Sequence, residues 1–229
     1  MAVMNRRTVM LALTLFAMPA YALDLSDLSN KEAVGGLKDA LVQASAAAVG
    51  KLGVADGFNK NPQVRIPLPE SLKTVEKGMR MFGMGKQADE LVLRMNRAAE
   101  AAVPEAKSLL VDAVKNMSVQ DAKAILTGPD DAATQYFRKT TAAPLAKKFL
   151  PIVQKATADV ELAQQYNKFA ESGVKYGLVE KDQANLDQYV TQKALDGLYV
   201  VMAEEEKAIR KDPLGASTNL IKKVFGAVR

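Results

Sequence analysis

The chain has 229 residues, 48% of them hydrophobic and 25% charged, and a formal net charge of +5 at pH 7. It contains no cysteine, no histidine and no tryptophan. These absences exclude a disulfide framework, a lipidated N-terminal cysteine, histidine-based triads, thiol nucleophiles and typical zinc sites. The mild charge, with no Lys/Arg cluster interleaved with aromatics, also argues against a nucleic-acid partner.

Arg6 and Arg7 precede a short apolar run, Val9 to Met18, and Ala20-Tyr21-Ala22 supplies the small-x-small pattern of a signal peptidase site. The run is short for a bilayer span, and Asp24, Ser26 and Asp27 follow it at once. Residues 1–22 therefore read as a cleaved signal peptide, and 23–229 as a single helical domain in the periplasm without a transmembrane anchor. Cleavage removes two arginines and no acid, which lowers the formal charge by two. The Arg6-Arg7 pair fits both an ordinary positive n-region and twin-arginine export. With no disulfides, stability must come from the core, and a chain of this size buries roughly 70% of the surface its unfolded form exposes.

Ser29 and Glu32 have the spacing of a capping box. Behind them Val34, Leu37, Leu41, Ala44, Ala48 and Leu52 recur every three or four residues, one face of a helix that Gly53 and Gly57 end. From Asp56 to Pro69 the pattern breaks. Pro62, Pro67 and Pro69 fix φ and deny helix to the residues before them, so Val64 to Leu68 must be extended. A second helix begins near Glu70, with Leu72, Val75, Met79 and Phe82 inward, and stops at Gly83 and Gly85. A long apolar pattern from Gln87 to Met117 is kinked or restarted at Pro104. Ser118 and Asp121 cap a short helix that ends at Gly128. Asp130 opens another through Ala133, Tyr136, Phe137 and Thr140, which Pro144 and Pro151 interrupt. Leu162, Tyr166 and Phe169 mark a further helix. A long one runs from Leu186 through Tyr189, Leu198, Met202 and Ile209, and Leu220, Ile221, Val224 and Phe225 form a last amphipathic piece. The expectation is an all-α multi-helix bundle of about seven to eight helices with one extended Pro-rich loop.

Several stretches carry a recognisable pattern: Asp56-Gly57-Phe58, Asn61-Pro62, Arg65-Ile66-Pro67-Leu68-Pro69-Glu70, Met95 to Glu100, Asp131 to Arg138, Tyr189-Val190-Thr191, Ala194 to Leu198, Ile209-Arg210 and Val224-Phe225-Gly226. In this order they span nearly the whole mature chain. It resembles a bacterial exported family known only as domain of unknown function 4197. The resemblance implies a periplasmic helical protein of Gram-negative bacteria and no particular activity. Gly215-Ala216-Ser217-Thr218 departs from it, standing where an Arg-Thr-Thr-like stretch is expected, so if that arginine serves a binding site shared by the family, this chain lacks it.

The candidate chemistry lies first in charged and polar groups on otherwise apolar helices: Asn96, Arg97 and Glu100 within about one turn, with Arg138, Asp196 and Arg210 elsewhere. Converging in a bundle, they would bind an anion or place a carboxylate for acid–base work. Pairing with one another, for example Arg97 or Arg138 with Asp196, is the competing explanation, because an unpaired buried charge is costly. The second candidate is the loop, through Asp56, Phe58, Asn61 and Arg65. It reads either as a lid or partner-binding edge or as a strap packed through Phe58, Val64, Ile66 and Leu68. Its oxygen ligands do not make a calcium loop, because position twelve is Pro67 instead of Glu.

Met79, Met81 and Met84 have spacings that suit Cu(I), but Met79 falls on the apolar stripe and core packing explains it. The basic amphipathic segment from Asn219 to Arg229 fits either a membrane surface or docking on its own domain. Glu206 and Arg210, four residues apart, read as a solvated helix pair worth a few tenths of a kcal/mol. The reading that follows is an exported protein without metal or cofactor that binds an unknown small ligand or envelope protein and leans away from enzymatic activity. The alternatives are a carboxylate/arginine hydrolase or lyase, since two-carboxylate chemistry needs no histidine, and a structural or chaperone-like interaction module.

Overall fold

The computed structural model describes residues 30–83, 85–167, 185–212 and 224. Among them are seven α-helices and no strand: α1 (Asn30–Leu52), α2 (Glu70–Met81), α3 (Gly85–Ala102), α4 (Ala106–Lys115), α5 (Val119–Leu126), α6 (Ala132–Thr157) and α7 (Leu186–Lys211). Residues 161–167 are also helical, which accounts for Leu162 and Tyr166. The signal peptide, the Ser29–Glu32 box, the Val75 side chain, Met84, Phe169, Gly215 to Thr218 and the C-terminal segment except Val224 lie outside the described residues.

Helices α6 and α7 pack along each other at the centre, α3 lies against both, and α1 covers α7 and α4. The apolar stripes explain this. Leu37, Leu41, Ala48 and Leu52 of α1, Leu91, Met95, Ala98 and Ala102 of α3, and Leu198, Val201 and Met202 of α7 all enter one core. Local chemistry sets the ends. The Ser118 side chain accepts from the Asp121 backbone, and Asp121 in turn accepts from the Ser118 backbone, which starts α5. Pro104 sits in a short 3₁₀ turn, Val103–Glu105, that separates α3 from α4 and satisfies the restart reading.

Two expectations are corrected. Pro144 and Pro151 do not interrupt α6, which runs through both. Each removes a helix hydrogen bond, but Phe137, Leu145, Phe149 and Val153 along the same helix are all buried. At ~1.5–3 kcal/mol per buried side chain, these four offset two proline penalties of ~3 kcal/mol each. Phe82, expected inward, is 79% exposed. Helix α2 ends at Met81, so Phe82 leaves the helical phase, and Gly83 turns the chain with φ +77°.

Residues 53–69 cross the helices as a strap. Val64, Ile66 and Leu68 are buried while Arg65 and Pro67 are exposed, the alternation of an extended segment. Phe58 is fully buried against α7 at Gly197, where a Cβ would stand 2.6 Å from the ring.

Candidate functional site

The six polar helix candidates fall in three separate places. In α3, Asn96 and Glu100 are four residues apart and so share one face, which meets the strap. Asn96 is fully buried. Its side-chain oxygen accepts from the Ile66 N–H at 2.8 Å, and its Nδ2 donates to the Ile66 carbonyl at 2.9 Å and to the Val92 carbonyl at 2.8 Å. One amide thus satisfies both backbone groups of an extended residue, as a neighbouring strand would.

Glu100 is 5% exposed. Its Oε1 accepts from the N–H groups of Phe58 and Asn59, both at 3.0 Å, and its Oε2 meets Arg97 Nη1 at 2.6 Å. Arg97 reaches on to Asp56 Oδ1 at 2.7 Å, and Glu100 first, then Asp56, hold its guanidinium pKa above the usual value. Asp56 is the one described residue other than glycine with positive φ, +68°, a conformation a short polar side chain tolerates.

The remaining loop candidates are also engaged. The Asn61 side-chain oxygen accepts from the Gln63 N–H at 3.1 Å, and Arg65 Nε donates to the Asn59 carbonyl at 3.1 Å. From α7, the Tyr189 hydroxyl donates to the Pro67 carbonyl at 3.2 Å and Glu204 accepts from Gln63 at 2.6 Å.

Lys60, Asn59 and Arg97 around Asp56 bring its pKa down to about 2. A lowered carboxylate pKa contributes stability that is present above the unfolded value near 4 and lost as pH falls through the folded one. Asp56→Asn, which preserves the side-chain shape and tolerates the same φ, is therefore expected to lower the melting temperature at pH 5 and above. That difference should close between about pH 4 and pH 2. Melts across this range check it, and a gap that persists undiminished at pH 2 would show the contact is not ionic.

The second place is the exposed edge of the α6–α7 pair. Arg138 meets Asp196 at 3.0 Å and lies 4.7 Å from the Tyr199 ring centre, and Gln192 donates to the same Asp196 oxygen. The third is the N-terminus of α6. Arg210 pairs with Glu206 at 2.9 Å, and the two side chains are only 10% and 4% exposed, so this is a buried pair and not a solvated one. Glu206 also accepts from the N–H groups of Ala133 and Thr134 and from the Thr134 hydroxyl. Its role escaped the sequence reading, although a signal was there: Glu206 continues the stripe Leu198, Met202, Ile209 on the core side of α7.

Two open clefts flank the corner where α2 meets α3. One, of about 380 Å³, lies between the strap and these helices, with Arg65, Pro67, Lys73, Glu76, Lys77 and Arg80 among its walls. The other, of about 730 Å³, is bounded by Met79, Arg94, Val160 and Leu162. Among the described residues no group of three or more Asp or Glu side chains is placed to hold a metal, and no helix is long and apolar enough to cross a membrane. Met79 is half-buried and Met81 exposed.

Residues 27–226 match the model of the family described as Protein of unknown function (DUF4197), and the chain belongs to that family. Neither a curated protein nor a solved structure matches it.

Proposed function

We propose that this DUF4197 protein is an exported, non-enzymatic binding protein of the periplasm, and that it meets an envelope partner on the face where the strap, α2 and α3 come together. The observation that carries this is the cleft beside the strap. The Asn96/Arg97/Glu100 group fixes the strap from within, and the strap then presents Arg65 and Pro67 to an open space shared with Lys73, Lys77 and Arg80. Lys73 pairs with Glu70, and Arg80 with Glu76 and Asp89, while Lys77 makes no ion pair among the described residues. The cleft therefore carries surplus positive charge and suits an anionic partner.

The carboxylates that an acid–base mechanism would draw on have other tasks. Glu100 and Glu206 receive backbone N–H groups, Asp196 holds Arg138, and Arg80 keeps the Asp89 carboxyl below its usual range. A general acid requires the opposite shift.

Fractionation, the intact mass of the exported chain and photo-crosslinking in cells test the reading together. The expected chain begins at Leu23, is recovered from the periplasm, and crosslinks to an envelope component from position 77 but not from position 147 on α6. Retention of residues 1–22 in the cytoplasm, or an equal yield from both positions, would overturn it.

A further inference from the structure

The α2–α3 corner ends in two bare apolar side chains. Met81 is 84% and Phe82 79% exposed, while comparable side chains along α3, α6 and α7 are in the core. The corner is built to hold them out. Arg80 binds Glu76 one turn earlier in α2, at 2.8 Å, and Asp89 in α3, at 2.5 Å, so one guanidinium braces the two helices across the turn. Gly83, with φ +77°, lets the chain reverse directly after Phe82. Between Lys77 and Gln87 the sequence has three cations, Lys77, Arg80 and Lys86, and no acid. Arg80 is occupied by the brace, and neither Lys77 nor Lys86 makes an ion pair among the described residues.

We infer that this corner docks on an anionic phospholipid surface, with Met81 and Phe82 entering the headgroup–acyl boundary and Lys77 and Lys86 facing lipid phosphates. The inference rests on the envelope-binding reading above and names its partner. Shape and charge select lipid over protein. Two side chains of ~200 Å² each are far short of the ~800 Å² per partner that a stable protein interface buries. A small apolar patch with lysines close by in the chain instead suits a membrane interface, because partial insertion buries the apolar groups while anionic headgroups attract the cations. Lys77 and Arg80 of the corner also line the cleft beside the strap, where Arg65 adds a further positive charge.

The test is co-sedimentation of the chain beginning at Leu23, which lacks the apolar run of residues 9–18, with vesicles of phosphatidylcholine alone or mixed with phosphatidylglycerol. Binding is expected to the mixed vesicles, to weaken as salt rises, and to fall at least about tenfold in Met81→Ser/Phe82→Ser. Lys77→Glu/Lys86→Glu should remove the preference for anionic lipid. All four positions are exposed, and unchanged melting temperatures will separate lost docking from lost folding. Absence of binding to the mixed vesicles at low salt, or equal binding by the serine variant, would overturn the inference. So would a dimer in gel filtration that the serine variant abolishes, which would assign the corner to a second copy. Crosslinking from position 77 to an envelope protein, without vesicle binding, would retain the envelope reading and discard lipid as the partner.

Discussion

Replacing Glu206 with alanine will cost about 3–5 kcal/mol of unfolding free energy. This side chain ties three helices together. The first N–H groups of any helix lack partners within it, and at the start of α6 the Asp131 side chain makes no capping bond. The Glu206 carboxylate arrives from α7 and takes the N–H groups of Ala133 and Thr134 at 3.0 and 2.9 Å. A negative group at that position is also favoured by the positive end of the α6 dipole. The same carboxylate holds Arg210, whose Nη2 donates to the Ile125 carbonyl of α5 at 2.8 Å.

Alanine there leaves two buried N–H groups without acceptors, each costing ~1–3 kcal/mol, and removes the carboxylate that Arg210 meets at 2.9 Å. Glu206→Gln keeps the shape and one acceptor oxygen but loses the charge, and should fall between wild type and alanine. Urea unfolding followed by circular dichroism gives the comparison. A loss below about 1 kcal/mol for alanine would mean that water replaces the carboxylate at both groups.

The contrast between Glu206 and the other candidates shows what a sequence discloses. Helix periodicity found α1, α3 and α7, because a one-faced apolar stripe has few other solutions. Ser118 with Asp121 marked α5 through a local bond that needs no tertiary context. The proline-rich stretch from Asp56 to Pro69 was legible as non-helical for an equally local reason, fixed φ.

What was not legible depended on neighbours distant in sequence. Proline rules end α6 early, and only the burial of Phe149 and Val153 against the rest of the bundle carries it through. Phe82 scores as core by spacing, yet one residue of helix less puts it in solvent. Asn96, Arg97 and Glu100 lie within about one turn of α3. That they serve the backbone of Phe58, Asn59 and Ile66 depended on contacts across 30 to 42 residues of chain, which no periodicity encodes. Glu206 and Arg210 look like any surface i, i+4 pair until the approach of α5 and α6 buries them.

The seat of Phe58 yields the second large effect, and one with a sign reversal. Phe58→Ala will destabilise the fold by about 3–5 kcal/mol, the usual cost of emptying a fully buried aromatic site. Gly197→Ala, in the intact protein, will cost about 1–3 kcal/mol. Its new methyl would lie 2.6 Å from Phe58 Cε1 and 3.1 Å from Val64 Cβ, closer than packed carbons stand, so the ring or the strap must shift. Alanine is nonetheless the better helix former by ~0.8–1 kcal/mol, and Gly197 is inside α7. Once Phe58 is truncated, the nearer obstacle is gone and the helix preference remains. Gly197→Ala should then be neutral or stabilising in the Phe58→Ala background, and a double-mutant cycle in urea would show a coupling with the sign of relieved overlap. Additive losses would mean that Val64, not Phe58, sets the space at Gly197. The cycle also bears on the binding face. Arg65 reaches the cleft only while Phe58 and Ile66 anchor the strap on either side of it, so Phe58→Ala should weaken crosslinking from position 77 without touching a cleft residue.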